Sequence, residues 1–320
     1  MKILWLTIDR SMRVTGHFDY FREEVSKLVE VKAVFKSTKP YLAGKFSKLA
    51  MRGAIKPKKL IDKKLASKGW DFVMIDALFA YMDDRLDLLR APKAMVIEDN
   101  HDVVPRWQVT QGKNRGVEIL FHRGLESFHR FHPDARENYK CIWLPFAANT
   151  DMFKLRGENR SGVIHVGAVN EKHYPLRVEL TRRLKDKEWF TWVRRPSESV
   201  EKVYKWPVRE EYAKLLAQAE ICLTTGSKYD AAVQKYFEIP SCGTVLMSNW
   251  FKDLETLGFK DRVNMVVYQE PVEEQIELML QDKKRLRKIG MNGKKLIMNR
   301  HNMRIRAFEF LDEVKRIIQV

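Results

Sequence analysis

Apolar positions along the chain fall into short continuous runs separated by stretches with helical spacing. The run KILWLTI (2–8) reads as a buried strand, and FDYFREEVSKLV (18–29) then places Phe18, Phe21, Val25 and Leu28 on one helical face. VKAVF (31–35), DFVMIDA (71–77), KAMVIED (93–99) and CIWLPF (141–146) follow as strands. The polar stretch KLRGENRS (154–161) reads as a linker, after which GVIHVG (162–167) opens a second series: helix 175–185, strand 189–193, helix 208–219, strand ICLTT (221–225), helix 231–239 and strand TVLMS (244–248). Strands alternating with helices build parallel sheets with crossover helices. The pattern predicts an α/β protein of two Rossmann-like α/β/α domains facing across a cleft, at 1–153 and 160–300, with a terminal helix at 301–320. Open sheets of this kind present the carboxyl ends of their strands to ligands.

Composition narrows the setting. A hydrophobic fraction of 45% in 320 residues is enough for packed cores. The opening run MKILWLTI meets Asp9 and Arg10 too soon to span a bilayer. Cys141, Cys222 and Cys242 are odd in number and widely spaced, which argues against a disulfide framework or a zinc site and fits a reducing, cytoplasmic setting. The net charge of +17 is unevenly placed: Lys36 to Lys68 carries eleven Lys/Arg against the single acid Asp62, and Lys283 to Arg306 carries ten and no acid. Both runs are interleaved with apolar residues, so each is either a solvated helix face or a surface for anionic lipid headgroups or nucleic-acid backbone. A peripheral position at the inner face of a membrane is therefore one expectation.

The chemistry-bearing residues cluster in the second half. YDAAVQKYFEIPSCGTVLMSN (229–249) sets Asp230 and Glu238 eight positions apart, and it is preceded by Thr225, Gly226 and Ser227. Together with HVGAVNEKHYPLR (165–177) and NRHNMRIRAFEFLDEV (299–314), this block resembles the GT-B glycosyltransferases, and most closely their spore-maturation CgeB-like branch. That branch carries a Gly-ending strand with a Tyr-Pro-x-Arg turn, an Arg-x-Phe-Glu-Ala-x-Ala-Cys-Gly block and a terminal His-Thr-x-x-x-Arg element. The likeness covers roughly 140–315, and LPFAANTDMF (144–153) resembles the linker entrance of such enzymes.

The resemblance implies a nucleotide-sugar donor, a UDP-sugar or GDP-sugar, and no other cofactor. Glu238, as the second acid of an acid-x7-acid motif, would hold the ribose, since a carboxylate accepts from two vicinal hydroxyls at once. Asp230 would lie beside the hexose at a helix N-terminus. Lys235, where the branch has Arg, together with Lys172, Gly167, Gly226, Ser227 and Tyr236, would surround the diphosphate and nucleoside. The sequence AAVQ after Asp230 departs from the Gly-Phe-Gly common in the wider class. In the first half, His17 and Asp19 follow the first strand, where inverting members keep a base, and His101 in IEDNHDVV resembles the His-Asp pair by which retaining members contact the donor; imidazole suits proton transfer near neutrality. EDNHD also reads as a divalent-metal cluster, but the resemblance implies a metal-independent enzyme. The acceptor is expected to be an anionic or surface-associated glycan, lipid carrier or polymer reached through Lys36–Lys68. The alternatives are hydroxymethylated DNA as acceptor, or a non-catalytic nucleic-acid-binding module on a degenerate scaffold.

Overall fold

The computed structural model describes residues 1–8, 17–36, 61–76, 85–98, 109, 112–157, 159–167, 169–194 and 209–319. Two compact units emerge: one comprises Met1–Met12, Phe18–Pro145 and Arg306–Val320, the other Arg13–His17 and Phe146–Ile305.

In the first unit, strands β1 (Lys2–Ile8), β2 (Glu30–Lys36), β3 (Phe72–Asp76), β4 (Lys93–Ile97), β5 (Ile119–His122) and β6 (Lys140–Trp143) form one sheet in the order β2-β1-β3-β4-β5-β6. Every pairing is parallel. Strands β3, β4 and β5 are buried at every position, which is why they read as continuous apolar runs. The pattern of the sequence omits β5, because a four-residue strand between polar neighbours has too little length to register. Helices α1 (His17–Ser26), α2 (Lys63–Ala66), α3 (Leu125–Phe131) and α4 (Ala135–Asn138) belong to the connections.

The second unit holds β7 (Val163–Gly167), α5 (Pro175–Leu184), β8 (Phe190–Arg194), α6 (Glu210–Gln218), β9 (Ile221–Leu223), α7 (Lys235–Ser241), β10 (Val245–Ser248), α8 (Lys252–Thr256), β11 (Val266–Val267), α9 (Val272–Gln281) and α10 (Lys283–Arg300). Its parallel sheet runs β11-β10-β9-β7-β8. Counted from its own first strand, each sheet begins in the order 2-1-3-4-5, the doubly wound arrangement whose direction reverses beside the first strand. In the second unit that reversal lies between β7 and β9.

The units divide at Pro145, earlier than residue 153, because the segment expected to be a domain end is tied into the second unit. The Ala147 carbonyl accepts from Gln234 Nε2 at 2.7 Å, the Phe153 carbonyl accepts from the Ser241 hydroxyl, and the Phe153 ring meets Tyr212 edge-on at 5.8 Å. Arg160 donates to Thr244 Oγ1 at 3.2 Å, so the polar stretch after Phe153 also has a fixed attachment.

The final helix α11 (Met303–Ile318) contributes its residues from Arg306 onward to the first unit. Phe310 is fully buried there, with ring centroids 5.8 Å from Trp5, 5.5 Å from Phe21, 6.1 Å from Phe72 and 5.3 Å from Phe121. These rings come from β1, α1, β3 and β5, so one side chain from the end of the chain closes one face of the sheet. Phe310→Ala is expected to destabilise the first unit by about 3 to 5 kcal/mol, the usual result of emptying an aromatic site in a core. Urea denaturation followed by near-UV circular dichroism measures it, and a loss below about 1 kcal/mol would show that the sheet face does not rely on this ring.

Candidate functional site

At the carboxyl ends of β7 and β9 the second unit buries a cluster of charged and polar groups that includes Arg177, Thr224, Thr225 and Ser227. Gly167 ends β7 at a φ of 133°, a conformation that side chains rarely adopt. A Cβ there would occupy the place of the Lys235 ammonium, which donates to the Val166 carbonyl. Because Lys235 is the first residue of α7, the close approach at Gly167 sets a cation over the end of β7. A second cation stands nearby: Arg177, on α5, is buried and donates to the Thr225 carbonyl at 2.9 Å and to Thr224 Oγ1 at 3.4 Å. Its guanidinium lies 3.8 Å from the centre of the Tyr174 ring, and desolvation lowers its pKa.

Between these cations the interior retains groups with no partner. His165 on β7 donates from Nδ1 to the Leu223 carbonyl at 2.9 Å, which leaves Nε2 as an unused acceptor. Desolvation, then Lys235, then Arg177 hold this imidazole well below its ordinary pKa, so it is neutral. Glu238 is 0% exposed, and neither of its carboxylate oxygens has a hydrogen-bond partner. Burial pushes its pKa up to about 8, against the opposing pull of Lys235 and of the polar groups of Gln234 and Tyr212. Those two groups stand close enough to act on the charge without making a hydrogen bond to it: the Tyr212 hydroxyl has no partner, and Gln234 Nε2, the donor of that side chain, is committed to the Ala147 carbonyl. With the Thr225 hydroxyl, these are buried polar atoms of the kind that native interiors rarely leave unmet.

The other expected residues divide. Asp230 is not at a helix N-terminus: α7 starts at Lys235 rather than at 231, and Asp230 sits five positions earlier with a φ of 56°. Its own N–H closes a turn onto the Ser227 carbonyl at 3.0 Å, a left-handed position that Asp tolerates better than most residues. Nor does a helix begin directly after Gly226 and Ser227, since α7 starts eight residues beyond Ser227. The Gly226 N–H donates to Asn249 Oδ1 at 2.9 Å, and the Ser227 hydroxyl accepts from Tyr229 N at 3.3 Å. Tyr236 is core: its hydroxyl pairs with Ser248 and its ring packs edge-on against Phe251. Lys172 is exposed in the loop after β7. In the first unit, Asp19 lies in the first turn of α1 and pairs with Arg22 at 3.1 Å, the ordinary arrangement of an acid near a helix start. His17 begins that helix, while His101 and positions 37–60 of the basic segment lie outside the described residues.

Sequence reasoning gave no role to Arg177, Tyr212, His165 or Gln234. Arg177 was within reach, since the Tyr-Pro-x-Arg turn that carries the resemblance contains it. Tyr212 gives no local signal, because its relation to Glu238 joins α6 to α7. The Cys-Gly of the same block is structural: Gly243, with a φ of 72°, ends α7, and its N–H donates to the Pro240 carbonyl at 2.8 Å. The terminal His301 is likewise an anchor, its Nε2 donating to the Leu257 carbonyl at 2.7 Å.

Residues 168–312 match the family model described as glycosyl transferase-like. No curated protein sequence matches the chain. Among solved structures, the sucrose-phosphate synthase of Thermosynechococcus elongatus superposes with a TM-score of 0.65 at 10% identity, covering 100% of this chain and 99% of that one. HepE of Anabaena, solved in complex with UDP and glucose, gives 0.62 at 12% identity, covering 99% and 100%. A glycosyltransferase from Rickettsia africae gives 0.61 at 10% identity, covering 99% and 98%. The fold is therefore GT-B, built from two Rossmann-like domains.

The state of Glu238 has a measurable consequence for the ligand-free protein. Its folded pKa, about 8, lies above the 4.5 of a free carboxyl, so the unfolded chain loses the proton first as pH rises. The stability linked to this group is full below the lower value and is lost on passing through the higher one. Glu238→Gln is expected to remove that slope and to stabilise the ligand-free protein near pH 7 by a few kcal/mol, since each tenfold change in proton affinity is worth about 1.4 kcal/mol. Denaturant titration of both proteins from pH 5 to pH 9 tests this, and parallel profiles would mean that the carboxylate is not held desolvated.

Proposed function

We propose that the chain is a glycosyltransferase that moves a sugar from a nucleotide-sugar donor, a UDP-sugar in the first instance, to a hydroxyl of an anionic or surface-associated glycan, lipid carrier or polymer. The observation that carries this reading is the fully buried, unpartnered carboxylate of Glu238 beside the reversal point of the second sheet. A ribose offers two vicinal hydroxyls, the donors that such a carboxylate lacks. The UDP in the HepE structure supports a uridine donor, and the match of 168–312 to the glycosyl transferase-like model supports sugar transfer.

Charge builds on the diphosphate as the glycosidic bond breaks, and a fixed cation at that position stabilises it. Lys235, brought over the end of β7 by Gly167, takes this role, with Lys172 as a further ligand from the loop. Since the Gly226 amide is committed to Asn249, Gly226 and Ser227 shape the turn that presents Asp230 toward the hexose. Tyr236 fixes α7 from behind. Arg177 holds Thr224 and Thr225 in place beneath the diphosphate. Proton transfer falls to His101, or to His17 with Asp19, and the reaction uses no metal ion and no cofactor beyond the donor. Among the described residues no helix is long and apolar enough to cross a membrane; the proposed place of work is the cytoplasmic face of one, with the Lys36–Lys68 segment reaching the anionic acceptor or surface.

Incubation with a panel of UDP- and GDP-sugars, without acceptor, is expected to release nucleoside diphosphate slowly from one donor. Glu238→Ala should lower that release at least 100-fold, Lys235→Ala should lower the rate more than the donor affinity, and Asp230→Asn should lower it severalfold. A protein that hydrolyses none of the panel, and whose melting temperature no nucleotide raises, would instead be a binding module on this scaffold.

A further inference from the structure

Helix α10 is seated by glycines. A Cβ at Gly290 would meet the Gly243 carbonyl oxygen, and one at Gly293 would meet the Asn264 carbonyl oxygen at 2.8 Å and Pro240 Cβ at 3.0 Å. Leu286, Ile289 and Ile297 complete the buried face. This flush seating on the end of α7 fixes which side of α10 looks outward, and that side has an unusual content. Lys284, Lys288, Met291, Lys295 and Met298 recur at intervals of four, three, four and three, so they lie in one line along the helix opposite the glycines. The three lysines are exposed, and Met291 and Met298 are 41% and 44% exposed. Among the described residues none of these lysines has an ion-pair partner. No acid occurs from Lys283 to Arg306.

We propose that this face of α10 is a docking surface for an anionic lipid bilayer, with the helix lying flat on it. A solvated face would gain nothing from methionines between its lysines, and the phosphates of a nucleic acid offer them no partner. A bilayer interface suits both kinds of residue. Lysine stems lie along the apolar boundary with their ammonium groups among the headgroup phosphates, while the flexible thioethers enter the acyl layer between them. The line from Lys284 to Met298 is ~21 Å long at 1.5 Å per residue, long enough to engage several headgroups at once. The face belongs wholly to the second unit and shares no residue with Lys36–Lys68, so the surface stands whether or not that segment also binds.

The test is co-sedimentation with sucrose-loaded vesicles of phosphatidylglycerol and phosphatidylcholine, against vesicles of phosphatidylcholine alone and against a labelled DNA duplex. The wild-type chain is expected to pellet with the anionic vesicles and to be released by salt. The variant K284E/K288E/K295E should bind them at least tenfold more weakly. The variant M291S/M298S should bind severalfold more weakly while keeping the salt dependence. Both should keep wild-type donor hydrolysis in solution, so loss of docking is distinguished from loss of the transferase reading. Vesicle binding by the charge-reversed variant equal to wild type, or tighter binding of duplex than of anionic vesicles by the wild type, would overturn the proposal.

Discussion

Keeping an acid fully buried with no hydrogen bond from the protein is unfavourable, and in this chain Glu238 is held in that state by nearly everything around α7. The helix that carries it is only seven residues long and contains Pro240, so its own backbone hydrogen bonds do little to fix it. Its position comes from outside. Gln234 ties its start to Ala147, Lys235 reaches back to Val166, Ser241 reaches Phe153, and α10 presses on its end through Gly290 and Gly293. Each of these attachments orients the same carboxylate. A protein that only needed to be stable would gain by replacing it with an apolar residue, which is the physical reason for proposing that Glu238 binds a ligand rather than serves packing.

The surroundings of that carboxylate also sort the neighbouring charges. Arg177 is consumed locally: it satisfies Thr224 and Thr225 and stacks on Tyr174, so its contribution is to hold the β9 loop in shape. Lys235 donates to the Val166 carbonyl, and an ammonium has three donors, so its charge can serve a ligand without abandoning the strand. His165, kept neutral between two cations, adds an acceptor rather than a third positive charge. A region that would otherwise be strongly cationic therefore presents one cation held at the end of β7, one acceptor and one proton-holding acid.

How much of this was legible in the chain depended on whether the cause was local. Buried parallel strands announce themselves as apolar runs, so β1, β3, β4 and β7 were readable to within a residue or two, and the eight-residue offset of Asp230 and Glu238 is written in the sequence itself. The start of α7 was not. AAVQ has good helical content, but Asp230 takes a left-handed conformation and Gln234 is drawn to Ala147, a residue far away in sequence, so tertiary contacts delay the helix to Lys235. Tyr212, Asn249 and Ser248 were equally hidden, since each acts through a side chain brought beside the site by packing and has no motif of its own.

The same distinction explains why the donor end is better defined than the acceptor end. The proposed nucleotide site lies at the ends of strands and on one short helix, features that a linear pattern can carry, and the fold that holds them is shared at 10 to 12% identity. The acceptor proposal rests on surface charge, where the physical demand is only that a positive face meet a negative one. Many sequences meet that demand, and composition alone cannot separate a lipid from a polymer. What can separate them is the spacing of apolar side chains among the charges, because a bilayer accepts a thioether between its headgroups and a polyanion does not. The Lys–Met line on α10 belongs to this kind of evidence, which makes the geometry of a single helix more informative about the partner than the whole excess of +17.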